Sequence, residues 1–131
     1  MKEAKSSLSM NSWDEKTWLE GEDGRKLTRV EAGSVYEGAM RGEGTATWLL
    51  SYNPDGTGSA PGLERFAGEV DGRPGGFVMQ HASGFDDKAV RDAFSICPGS
   101  GTGDLAGIRG EAAIEMKGKE PYHFTLHYEL P

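Results

Sequence analysis

The chain has 131 residues, enough for one domain with a single core. Apolar residues and glycine make up about half of it, which argues against a chain disordered throughout. The formal net charge is −7, with acidic and basic residues mixed and no basic block, so nucleic acid is a poor partner. No stretch approaches the roughly 20 apolar residues of a spanning helix, and the start, MKEAKSSLSMNSW, has no apolar signal core. The expectation is a cytoplasmic protein with no membrane segment.

In chain order, the first candidate strand is SSLSMNSWD, residues 6–14. KLTRVEAGSVYEGAMRG, residues 26–42, reads as one long strand with Gly33 and Gly38 as bends or bulges. GTATWLLSY (44–52) is rich in threonine and aromatic residues and ends at the turn cluster NPDGTGS. LERFAGEV (63–70) sets Glu64, Phe66, Gly68 and Val70 on one face, with Arg65, Ala67 and Glu69 on the other. DGRPGG (71–76) then turns the chain into GGFVMQHASGF (75–85), completing a hairpin.

DDKAVRDAFSIC (86–97) is ambiguous. Its Asp caps, with Ala89, Val90, Ala93 and Phe94 at helical spacing, favour a helix by pattern alone. Read as a strand, it would place Val90, Asp92, Phe94 and Ile96 on one face. EAAIEMKG (111–118) alternates. The clearest period of two is PYHFTLHYELP, where Tyr122, Phe124, Leu126, Tyr128 and Leu130 alternate with His123, Thr125, His127 and Glu129. Seven or eight short strands with frequent turns predict an antiparallel sandwich or barrel in one domain, 1–131. No long helical pattern separates them, as parallel βαβ units would need.

The glycine-rich PGSGTGDLAGIRGEA (98–112) invites a phosphate-loop reading and fails it. A dinucleotide loop needs glycine at i, i+2 and i+5, but Asp104 and Ala106 stand at i+5. No glycine here is followed by Lys and then Ser or Thr, and Gly107 and Gly110 interrupt any helix that could receive an anion. These glycines suit positions of positive φ or close backbone approach at a barrel corner, with Leu105 and Ile108 plugging the barrel end. No metal signature and no cofactor motif is present: His81, His123 and His127 lack a third ligand, and the last two default to solvent. The single Cys97 rules out an intrachain disulfide and reads as a small buried residue.

The functional clue is polar residues on apolar faces. Glu64 shares the face of Phe66 and Val70, and His81 that of Phe77, Met79 and Phe85. Gln80 lies opposite, and Tyr52 shares a face with Trp48 and Leu50. Buried carboxylates are costly unless paired or hydrogen-bonded, so such residues either meet one another or line a pocket. Glu64 is the best candidate acid or base, because burial would raise its pKa. That role requires a Glu64 reachable from a pocket and not locked to Arg65 or Arg109.

SYNPDGTGSAPGLERFAGEVDGRPGGFVMQH (51–81) and CPGSGTGDLAGIRGEA (97–112), with KLTR (26–29) and YEGAMRGEGTA (36–46), resemble an uncharacterised, mostly bacterial family with a domain of unknown function. That family is grouped by fold with the allene oxide cyclase-like β-barrels. The resemblance implies an all-β, eight-stranded antiparallel barrel of calycin-like shape and tips residues 88–97 from helix to strand. Members of the wider superfamily with known activities steer reactive intermediates inside the barrel, but their catalytic residues map onto no motif here. The expectation is a barrel holding one small apolar or amphipathic ligand, lined by Tyr36, Trp48, Tyr52, Glu64, Phe66 and either Gln80 or His81. The alternatives are a cyclase or isomerase using Glu64, and an assembly role as a homo-oligomer.

Overall fold

The computed structural model describes residues 1–131 as an all-β protein. Its strands are β1 (Lys2–Glu20), β2 (Lys26–Gly38), β3 (Met40–Tyr52), β4 (Gly58–Val70), β5 (Arg73–Phe85), β6 (Val90–Ile96), β7 (Thr102–Gly103), β8 (Arg109–Met116) and β9 (Tyr122–Glu129). Every pairing is antiparallel, and the order β4-β3-β2-β1-β9-β8-β6-β5 closes through β4–β5. The result is a closed eight-stranded up-and-down barrel, with the two-residue β7 added to β5 through Gly75↔Gly103 and Gly76↔Thr102. Closure removes the two edges that an open sheet would have, although β1 beyond Leu8 pairs with β2 alone. No helix is long and apolar enough to cross a membrane.

Several boundaries differ from the sequence expectations for physical reasons. Residues 26–42 are not one strand: the chain reverses at Gly38–Ala39, where Gly38 has φ +125 and the Ala39 amide donates to the Lys5 carbonyl. The DGRPGG turn is only Asp71–Gly72, with φ +50 and +80, the two left-handed positions of a tight hairpin. Residues 90–96 form a strand, not a helix, because Ala93 and Phe94 pair on both sides, with Ala82 and His81 of β5 and with Ala113 and Ala112 of β8. Cys97 is half-buried.

Period-two alternation sends one residue in two inward, and the interior divides into two clusters. The larger holds 17 buried residues, among them Leu8, Tyr36, Phe66, Phe77, Phe94, Phe124 and Tyr128. Its end of the barrel is stopped by the segment after β6, in which Gly103 and Gly107 (φ +61 and +80) fold Leu105 and Ile108 back into the core. Leu105 and Ile108 are 0 % and 1 % exposed, so the glycine-rich stretch is a plug. The smaller cluster is Val30, Ala32, Ala46, Trp48, Leu50 and Ala60, with Met10, Tyr52 and Phe85 packed against it. Its three alanines leave room that the larger cluster fills with aromatic rings.

Candidate functional site

The inward residues of β4, β5 and β6 at mid-barrel are Glu64, His81 and Asp92. The register Gly62↔His81 and His81↔Phe94 holds these strands side by side, and Asp92 reaches His81 diagonally. His81 Nε2 lies 2.8 Å from Glu64 Oε1, and His81 Nδ1 lies 2.7 Å from Asp92 Oδ2. Tyr36, from β2, donates its hydroxyl proton to Glu64 Oε2 at 2.7 Å. All four side chains are buried. With a carboxylate on each ring nitrogen, His81 donates twice and is an imidazolium. Burial alone would lower its pKa, but the hydrogen bonds and charges of Asp92 and Glu64 outweigh that and push it up to about 9. Tyr36 is held well above its ordinary value, first by burial and then by the Glu64 charge.

This polar layer separates the two apolar clusters. The His81 ring lies 4.2 Å from the Phe94 ring on one side and 5.1 Å from the Trp48 ring on the other. Two glycines clear the space for it. A Cβ at Gly44 would lie 1.8 Å from Glu64 Oε2, and one at Gly62 would lie 2.1 Å from Trp48 Cδ1. Even alanine at either position would displace a member of the site.

Above the layer is a cavity of about 460 Å³. It sits where β3, β5 and β8 end and β4, β6 and β9 begin, opposite the plugged end. Trp13, Trp48, Tyr52, Phe85 and Tyr122 give it aromatic walls, and Asp92 forms part of its lining. Two buried atoms of that lining have no hydrogen-bond partner: Trp48 Nε1 and Asp92 Oδ1. Trp13 packs on Trp48 with ring centres 5.9 Å apart. Tyr52 donates to Glu15, which also accepts from Thr28, and burial followed by the Glu15 contact pushes the Tyr52 hydroxyl up to about 12.

The expected site residues are therefore dispersed. Trp48 and Tyr52 line the cavity, while Tyr36, Glu64 and His81 form the layer beneath it. Phe66 is buried in the filled half against Tyr36 and Phe77, away from the cavity. Gln80 points outward and is exposed, because odd-numbered residues of β5 face the core. Glu64 is locked, not to Arg65 or Arg109 but to His81 and Tyr36, and it does not line the cavity. The buried carboxylate that does is Asp92, which the strand reading places on the Phe94 and Ile96 face and the helical pattern hides. Met10 and Trp13, also lining residues, lie in the first candidate strand, where no pattern singles them out.

The fold has been seen before. A crystal structure at 1.84 Å of a DUF3224-family protein of unknown function from Shewanella oneidensis MR-1 superposes with a TM-score of 0.78. That similarity covers 99 % of both chains at 23 % identity. No curated protein matches the chain. Residues 4–128 match the family described as Protein of unknown function (DUF3224), and to that family the chain belongs.

Proposed function

We propose that the barrel binds a small apolar or amphipathic molecule in the cavity above the polar layer. The observation that carries this reading is the pair of orphaned atoms in the lining, Trp48 Nε1 and Asp92 Oδ1. Buried polar atoms are nearly always hydrogen-bonded, and a donor and an acceptor left unpaired on residues that line one apolar cavity suit a ligand that supplies their partners. The cavity volume lies within the range of small-molecule sites. Ligand-observed NMR with a library of aromatic and aliphatic fragments is expected to give hits on the full chain. Ser83→Trp, which puts an indole into the lining from β5, should remove them while leaving the thermal transition in place. Hits that survive Ser83→Trp would place binding elsewhere.

A second reading is favoured by one observation: the hydrogen-bonded chain Tyr36–Glu64–His81–Asp92 runs from the filled half to the cavity. Such a chain can hold a proton beside a bound molecule, as a cyclase or isomerase of the kind implied by the resemblance to allene oxide cyclase-like barrels would require. The group next to the ligand would be Asp92, with Glu64 acting through His81. In D2O, a fragment that binds should then exchange an acidic C–H proton faster with the protein than without it, and Asp92→Asn should abolish the difference. Equal exchange rates would leave the protein a binder only.

A further inference from the structure

The cavity lining carries a sign. Its charged residues are Asp86, Asp92 and Glu120, and no Lys, Arg or His is among the lining residues. Two of the three carboxylates are already engaged. Asp86 Oδ1 accepts the Lys88 and Ala89 amides and its Oδ2 lies 3.3 Å from Arg91, while Glu120 Oε1 accepts the Met10 amide. Asp92 gives one oxygen to His81 and keeps the other, buried, without a donor.

The polar layer does not neutralise this end. One imidazolium stands between two carboxylates, so one negative charge of the set is left unbalanced in a medium of low dielectric. Two basic groups near the rim, Arg91 and Lys26, are turned to other partners, while Lys88, Lys117 and Lys119 stand in the loops beside it and are not among the lining residues. Arg91 is exposed on the outer face beside Asp86 and Glu115, and the Lys26 ammonium lies 4.6 Å from the centre of the Tyr52 ring.

We propose that the occupant is an organic cation, a protonated amine on an apolar body, whose N–H donates to Asp92 Oδ1 within the aromatic walls of the cavity. The inference rests on the binding reading above and adds the charge and donor character of the ligand. A bare metal ion is a poor fit, since no group of three or more His, Cys, Asp or Glu is placed to hold one. Aromatic faces attract organic ammonium groups, and tryptophan does so best. A quaternary ammonium would leave Asp92 Oδ1 still lacking a donor. A neutral hydroxyl would satisfy that oxygen and leave the charge unbalanced. An anion would meet three carboxylates.

The test is a headgroup series on one body: phenylbutylamine, phenylbutanol and phenylbutyrate, titrated calorimetrically into the full chain at neutral pH and low salt. The amine is expected to bind about tenfold more tightly than the alcohol, with the carboxylate weakest. Asp92→Asn should bring the amine down to the affinity of the alcohol and leave the alcohol unchanged. The order among the three in the unmodified chain decides the question even if that variant does not fold. Equal affinities, or a preference for the alcohol or the acid, would overturn the charge assignment and leave the cavity reading standing. So would a series that fails to bind while neutral fragments do. If nothing binds in the series or in the fragment library, both readings fall together.

Discussion

Raising the pH from about 6.5 to about 9 should lower the stability of the fold by about 3 kcal/mol. The cause is His81, whose folded pKa of about 9 lies above its ordinary 6.5. Below 6.5 the imidazole is protonated in both the folded and unfolded chain, and the stabilisation from Glu64 and Asp92 is fully present. Between the two values the unfolded chain releases the proton and the folded one keeps it, so each step up in pH favours unfolding. Above 9 the proton is gone from both and the contribution is lost. Other groups act outside this window. Glu15, Glu31, Asp55 and Asp86 are lowered and withdraw their contributions only in acid. Tyr52 and Tyr128, pushed up to about 12, begin to matter only above 10. Urea midpoints at constant ionic strength across this range give the measurement, and His81→Gln should flatten the profile. A flat profile in the unmodified chain would mean that the layer holds no imidazolium.

Replacing His81 by leucine should cost about 3–5 kcal/mol, because it leaves Glu64 and Asp92 buried without their shared cation. The informative partner is the joint variant Tyr36→Phe, Glu64→Leu, His81→Met, Asp92→Leu, in which the whole layer becomes apolar. Buried ionic sets replaced entirely by apolar residues of similar volume are often neutral or stabilising. The joint variant is therefore expected to match or exceed the native midpoint in urea and to lose ligand binding. Such a result would separate what the layer does for the ligand from what it does for the fold. A joint variant as unstable as His81→Leu would assign the layer to the architecture instead.

The barrel was legible where one face is apolar and the other polar. β9 alternates through all eight residues, and its inward Phe124, Leu126 and Tyr128 are buried as expected. The glycine-rich stretch was legible too, since its failure at phosphate spacing and its fit to a corner both follow from where the glycines stand. β6 was harder, because a seven-residue strand holding Ala93 and Phe94 matches helical and extended periods alike and pairing with β5 and β8 decides it. The site was half legible. Alternation put Glu64 and His81 inside but could not say that they face each other, since partnership across β4 and β5 depends on register. It could not say which end of the barrel is hollow, because that depends on plug residues distant in sequence from the cavity.

The division between a filled half and a hollow half has a consequence for how such a shell can diversify. Leu105, Ile108 and the phenylalanine rings secure the wall at one end, while Ala32, Ala46 and Ala60 leave the other end thinly occupied. Enlarging or reshaping side chains at the hollow end changes what fits there without touching the packing that holds the strands together. On the binding reading, most residues that would select a ligand are then other than those that secure the wall, with Asp92 shared between the two. On that reading, a lineage of such barrels is free to change what it holds while its outline stays the same.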